Sequence, residues 1–398
     1  MTDAPPDAVA LVLVGDELLA GHVIDANGPW LGRRLAEAGL NVVSVAFAPD
    51  RADAIVRAVE RGLDDAAAVV VTGGLGGTSD DVTRSALAVL ADGRTLRVLP
   101  NGHGIEDGVR LDLARGTVFA VPGVPAEMSA MADELIVPEL RAAAGPLLPR
   151  VTRSVLVVGM GERRVSELLA PLEASLGHAG ALAYLPRPGE VEVRIRATGR
   201  DAVATGAASV VRARELLGDA VAAQDASLEE AVVSLLVGSR ATVAAAESLT
   251  GGLVAAALAS VPGVSAVFRG GVVAYATDLK TSLVGVPRDV LERDGPVAAT
   301  TAAAMAQGVR ERCAAAYGVA TTGVAGPEPQ DGHPAGRFHV AVASDGVVRV
   351  ASYDPWPGLV VTRQTVRRRA VVAALDLLRR AVVGLGPGPG ESSSAPTR

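Results

Sequence analysis

Short, nearly continuous apolar runs alternate along this chain with longer stretches whose apolar residues recur at helical spacing. In the first region, residues 9–14, 41–48, 68–71 and 117–121 read as strands, and 27–38 and 126–144 as helices. The second of these helices stops at Gly145-Pro146. Strands alternating with helices of that length predict a doubly wound α/β domain with a mainly parallel sheet over residues 1–148. The pattern then changes. A strand at 153–158, a helix at 162–175, an alternating strand at 190–198 and a helix at 202–217 predict a small α+β unit over 151–222. A third region, 226–384, opens with a helix at 228–236 and alternates strands and helices again up to Val383, which predicts another α/β domain. The tail, 385–398, starts in Gly386-Pro387-Gly388-Pro389-Gly390, cannot bury enough apolar surface, and is expected to be disordered.

Composition sharpens this picture in three places. At 398 residues the chain exceeds one ordinary domain, and 49% hydrophobic with 20% charged residues is a soluble, globular balance. Aromatics are only 3%, so the cores must be built from Val, Leu and Ala. A net charge of −7 opposes nucleic acid or an anionic membrane as a partner. Cys313 is the single cysteine, so no intramolecular disulfide forms, in keeping with a reducing cytoplasm. Apolar runs such as 231–246 are interrupted by Gly238 and Arg240, and no signal peptide is visible, so the expectation is a cytoplasmic protein.

The chemistry concentrates in the third region. Ala246-Glu247-Ser248-Leu249-Thr250-Gly251-Gly252 joins an apolar run at 241–245 to a helical start at 253–259. A serine at such a turn can present its hydroxyl beside unpaired backbone N–H groups, which suit an anion or a developing oxyanion. A plain helix N-cap fits the same residues. Three further clusters follow. Gly270-Gly271-Val272-Val273-Ala274-Tyr275 reads as a strand ending in a turn that carries Tyr275 and Lys280. Thr321-Thr322-Gly323-Val324-Ala325-Gly326-Pro327 follows the strand-like 317–320, and the carboxyl ends of parallel strands are where α/β folds bind ligands. Arg363 and Arg367 are four apart and share a face if helical. Taken singly, these could be a surface lysine, a packing tyrosine, a turn and a solvated helix face.

Taken in order, AES-x-TGG, GG-x-x-x-Y-x-x-x-x-K, T-G-x-AGP and R-x-x-x-R resemble the carboxyl-terminal domain of the CinA family. That resemblance implies a nicotinamide-nucleotide amidohydrolase, which converts nicotinamide mononucleotide to nicotinic acid mononucleotide and ammonia. It places Ser248 as nucleophile, Lys280 as the base that activates it, and Tyr275 beside them. Thr250, Gly251, Gly252, Thr322, Gly323, Arg363 and Arg367 fall on substrate-binding positions, with N–H groups near Thr250 to Gly252 as oxyanion donors and an arginine for the phosphate. A buried lysine can serve as base because burial lowers its pKa. No cofactor is implied for the amidase, and a homodimer is expected. Two departures stand out: Thr362 replaces the usual Asp before the first arginine, and Glu328-Pro329-Gln330-Asp331-Gly332-His333 replaces a glycine-rich loop.

In the first region, Thr72-Gly73-Gly74-Leu75-Gly76-Gly77-Thr78-Ser79-Asp80-Asp81 links a strand to a helix, as phosphate-binding turns do, although a tight turn with an N-cap reads the same way. With Gly15-Asp16-Glu17, Asp25, Asn27 and Val121-Pro122-Gly123, it resembles the family's molybdopterin-binding-like domain. The implied nucleotide-binding residues are Gly73, Gly74, Gly76, Thr78, Asp80 and Asp81. The implied activity is an ADP-ribose pyrophosphatase with a divalent metal (Mg, Mn or Co) at Asp81. Gly77 stands where the family has proline, and the stretch from Thr83 to Asn101 is short, which predicts a domain that is folded but weak or inactive as a pyrophosphatase. The middle unit, with Gly159-Met160-Gly161-Glu162, resembles the family's KH-like connecting domain. A bifunctional enzyme is therefore one alternative, and a non-catalytic competence- and recombination-associated binding protein is another.

Overall fold

The computed structural model describes residues 4–355, 362–386 and 388, and the backbone of 391–392. The chain divides into two compact units, one of Met1–Val151 with Thr198–Asp201, the other of Thr152–Ala197 with Ala202–Arg398.

The first unit is built on six strands, β1 (Ala8–Val14), β2 (Asn41–Ala48), β3 (Ala68–Thr72), β4 (Arg97–Leu99), β5 (Gly108–Leu113) and β6 (Gly116–Val121), in the order β2-β1-β3-β6-β5-β4. The first four in that order are parallel, and β5 and β4 close one edge antiparallel. β1 is apolar throughout because both faces are covered. Ala10 and Val12 pack with residues of helices Ala52–Asp65 and Thr83–Ala91, whereas Val9 and Leu11 pack with Asn27–Glu37 and the helical run from Pro125 to Ala144. This is the doubly wound sheet that the alternation predicts.

In the second unit, β7 (Arg150–Val158), β8 (Gly180–Arg187), β9 (Glu190–Thr198) and β10 (Val221–Gln224) form a sheet ordered β10-β7-β9-β8. Helices Glu162–Leu176 and Ala202–Leu217 supply its core partners. The sequence reading omits β8, which runs through Pro186, and β10, which is only four residues long. A third sheet follows, of β11 (Val243–Glu247), β12 (Phe268–Val273), β13 (Tyr317–Gly323), β14 (Phe338–Ser344), β15 (Val347–Tyr353) and β16 (Glu391–Ser392), ordered β12-β11-β13-β14-β15-β16. β12, β11 and β13 are parallel and the rest antiparallel. The disorder expected for the tail needs correcting at its start: Gly386 accepts from Arg349 and Arg380, and β16 pairs with β15. Residues 387, 389–390 and 393–398 lie outside the described residues.

β11 reads Val-Ala-Ala-Ala-Glu and is wholly buried, with Ala245 in a core beneath helices Leu253–Ala259 and Arg363–Val382 and Ala244 and Ala246 in a second core beneath Thr277–Val284 and Ala299–Arg312. Small residues let those layers approach closely. A Cβ on Gly308 would lie 1.6 Å from the Val284 carbonyl oxygen, so helix Ala299–Arg312 touches the end of helix Thr277–Val284 backbone to backbone. Among the described residues no helix is long and apolar enough to cross a membrane.

Candidate active site

β11 lies between β12 and β13, and Ser248 follows its last residue, so the serine stands at the carboxyl end of the parallel part of the sheet. Its N–H donates to the Thr321 carbonyl at 3.0 Å, which ties the turn to β13. The chain then reverses tightly, with Gly251 N–H donating to the Ser248 carbonyl. Gly251 and Gly252 have φ of +58° and +98°, values that side chains disfavour, so glycine is required for the turn.

Glu247 is the residue whose role the sequence did not reveal. It is 1% exposed, and its carboxylate accepts from the N–H groups of Gly252, Val254 and Ala255 at 2.9, 3.0 and 2.8 Å. A carboxylate there satisfies the orphan donors of helix Leu253–Ala259 and complements its dipole. This corrects the expected oxyanion donors: Gly252 N–H is committed to Glu247 and Gly251 N–H to Ser248. Thr250 is also fully buried, with its hydroxyl bonded to that of Thr321 at 2.7 Å, so its side chain locks the turn instead of facing a ligand.

Lys280 is 2% exposed and comes from helix Thr277–Val284, not from a turn. Its Nζ donates to Ser248 Oγ at 3.1 Å and to the carbonyls of Ala274 and Tyr275 at 3.0 and 3.2 Å. Burial pushes its pKa down to about 8, while the Asp278 and Asp331 carboxylates pull the other way. Ser248 and Lys280 open into a cleft of about 300 Å³. Tyr275, Thr322, Gly323 and Arg363 also line it, so the structure brings six of the expected residues together. Thr277, Pro296 and Val297 line it as well, with nothing in their local sequence to mark them, and so does Gln330 from the segment that replaces the glycine-rich loop. Thr322 donates to the Pro296 carbonyl at 2.6 Å. Gly323 permits a close approach, since a Cβ there would fall 2.5 Å from that of Phe338.

The two arginines part company. Arg363 is exposed at the cleft and donates to the Gly326 carbonyl at 3.1 Å and to the Tyr275 hydroxyl. Arg367 instead donates to the carbonyls of Leu249 and Thr250 at 3.1 and 2.7 Å. Its guanidinium is spent on the serine turn, which corrects its expected role as a phosphate ligand. Thr362 caps helix Arg363–Val382 through the Thr365 N–H, the service an Asp would also render.

In the first unit, Gly73 has φ of +102°, and a Cβ there would strike the Val14 carbonyl, which makes this a tight βα turn. Gly74 at φ +65° accepts from Thr83 N–H. A Cβ on Gly76 would meet the Asp81 carboxylate, and Asp80 is exposed. The hydroxyl and N–H of Thr78 both donate to Asp81 and hold its carboxyl below the ordinary range. That carboxylate is occupied within its own loop. Among the described residues no group of three or more His, Cys, Asp or Glu side chains is placed to hold a metal ion.

Comparison with known proteins marks three stretches of the chain. A family model described as "CinA C-terminal domain" matches residues 225–382, one described as "Probable molybdopterin binding domain" matches 10–142, and one described as "Damage-inducible protein CinA KH domain" matches 152–221. A CinA-like protein of Frankia casuarinae is 40% identical over 94% of this chain and 96% of its own, and one of Gemmatimonas aurantiaca is 35% identical over 94% and 96%. The crystal structure of the competence/damage inducible protein CihA from Agrobacterium tumefaciens is 34% identical, with a TM-score of 0.37, over 39% of this chain and 93% of that one. The chain thus combines a molybdopterin-binding-like domain, a KH domain and a carboxyl-terminal α/β domain, and it belongs to the CinA family.

Proposed function

We propose that the cleft hydrolyses the carboxamide of nicotinamide mononucleotide, giving nicotinic acid mononucleotide and ammonia in pyridine-nucleotide salvage. The observation that carries this reading is the 3.1 Å contact between a buried lysine nitrogen and a serine hydroxyl at the carboxyl end of a parallel strand. A protonated Lys280 has three hydrogens for three acceptors. Once neutral, it keeps two for the carbonyls of Ala274 and Tyr275 and turns its lone pair toward Ser248 Oγ, which then donates to it. Attack by that oxygen on the carboxamide carbon sends the serine proton to Lys280. Lys280 returns the proton to the departing nitrogen, ammonia leaves, and the acyl–serine ester remains. Water, deprotonated by the same lysine, then releases the carboxylate.

Around this pair the remaining groups have complementary tasks. Leu249, which lines the cleft, supplies an N–H of the turn that Glu247 and Ser248 leave uncommitted, and this serves the oxyanion. Arg363, on the rim, serves the substrate phosphate, which a planar guanidinium can grip through two hydrogen bonds. The chemistry assigns no role to a metal. Purified chain incubated with nicotinamide mononucleotide and a chelator should release ammonia and nicotinic acid mononucleotide. An activity that a chelator abolishes and a divalent cation restores would defeat the Ser-Lys assignment. With the Asp81 carboxylate bonded to Thr78 within its own loop, no pyrophosphatase step is assigned to the first unit.

A further inference from the structure

Helix Arg363–Val382 is shared between the KH unit and the proposed active site. The turn between β8 and β9 docks on it so closely that a Cβ on Gly189 would lie 3.2 Å from Val372 Cγ1 and 3.6 Å from Arg369 Cα. Glu190, the next residue, is 3% exposed, and its Oε1 pairs with Arg368 at 3.3 Å. Glu229, in the first turn of helix Leu228–Ser239, holds the other side of that guanidinium at 3.0 Å. At the far end, Arg379 donates to the Asp219 carbonyl of the KH unit at 3.1 Å.

Glu190 Oε2 is buried without a hydrogen-bond partner, so this carboxylate has given up water for its contact with one half-exposed arginine. Such a pair contributes little to stability, because desolvation offsets its attraction, and an uncharged residue of similar shape is often as stable. Its effect lies instead in where it holds the helix. Arg368 follows Arg367, and Arg363 lies one turn earlier on the face of Arg367. Two carboxylates thus grip Arg368 on the same helix whose Arg367 bonds the Leu249 and Thr250 carbonyls and whose Arg363 lines the cleft.

We propose that Glu190 of the KH unit is a positioning residue for the amidase: through Arg368 it sets the first turn of helix Arg363–Val382, and so the serine turn that Arg367 holds. This rests on the Ser248–Lys280 reading of the cleft. The test uses the full chain with Glu190→Gln, Arg368→Gln and both together. Three quantities are read: kcat and KM for nicotinamide mononucleotide, the rate at which a fluorophosphonate probe labels Ser248, and the melting temperature.

Each single substitution should lower kcat and the labelling rate about tenfold, the scale of a small misplacement of a reacting group, with KM changed less than about twofold. The double variant should be no worse than the poorer single, because both act through one contact. Glu190→Gln should melt no lower than the parent. Unchanged kcat and labelling in Glu190→Gln, or effects that multiply in the double variant, would overturn the proposal, as would losses that follow a fall in melting temperature. A parent chain that is labelled but releases no ammonia sinks the substrate assignment, and positioning is then judged on the labelling rates. A parent chain that is not labelled at Ser248 sinks both.

Discussion

The base proposed for this site is defined by its burial, and pH is the perturbation that reads it. With the Lys280 pKa lowered from 10.5 to about 8, the neutral fraction at pH 7 is about one tenth, roughly 300 times that of an ordinary lysine. Between pH 7 and 9 the neutral fraction climbs to about nine tenths, so kcat/KM for nicotinamide mononucleotide should rise about tenfold and then level. Initial rates of ammonia release at low substrate give this profile directly. Lys280→Arg, which stays protonated throughout, should be inert at every pH. A second readout is stability. The unfolded chain keeps the lysine proton up to about pH 10.5 and the folded one loses it above about 8, so the unfolded state binds more protons in that window and stability rises with pH. Below pH 8 burying the charge costs about 3 kcal/mol, and by pH 10.5 that cost has gone. A flat rate profile, a rise centred near pH 6.5, or turnover by Lys280→Arg would refute the reasoning.

Four further outcomes are expected. Ser248→Ala should cut kcat by about a thousandfold or more, as loss of a nucleophile does, and near-normal turnover would remove Ser248 from that role. Arg363→Ala should raise KM for nicotinamide mononucleotide by the equivalent of about 2–3 kcal/mol, with far less effect on nicotinamide riboside; equal effects on both would make Arg363 structural. Glu247→Ala strips three buried helix donors of their acceptor and should cost about 3 kcal/mol or more in urea unfolding, and a loss under about 0.5 kcal/mol would show the cap to be dispensable. ADP-ribose assayed with magnesium, manganese and cobalt should turn over weakly or not at all, and robust turnover that Asp81→Ala abolishes would show that the short Thr83 to Asn101 stretch matters little.

Local pattern carried much of this architecture. β1 and β11 were legible because a strand covered on both faces reads as an unbroken apolar run, and β2 and β9 have the bounds expected of them. The serine turn was legible because its glycines and short apolar flanks are contiguous. What sequence could not convey was pairing over distance. Arg363 and Arg367 look alike on a helical face, yet only the fold shows that one lines the cleft while the other reaches carbonyls more than a hundred residues away. Glu247 is hard to read for another reason: its donors are backbone N–H groups at the start of the next helix, and an acid beside a serine invites reading as part of a motif. β8 and β10 escaped because a proline and extreme shortness erase the alternation that marks a strand.

Gly308 has a consequence for anyone surveying this chain by substitution. It touches no part of the cleft, and its helix carries no group assigned to the chemistry, yet its bare Cα is what lets the Val284 carbonyl come so near. Even alanine there must push against the end of the short helix that bears Lys280. In a library scored by activity, Gly308 would therefore rank with Ser248 and Lys280, and a ranking alone would mistake it for a participant. Scoring folded abundance alongside activity would not fully separate them, because a small displacement of Lys280 can leave the protein intact while emptying it of function. The antiparallel strands β14 and β15 offer no easier place to thicken this layer, because Ala341, Ala343 and Val350 share its core with Val284 and Met305.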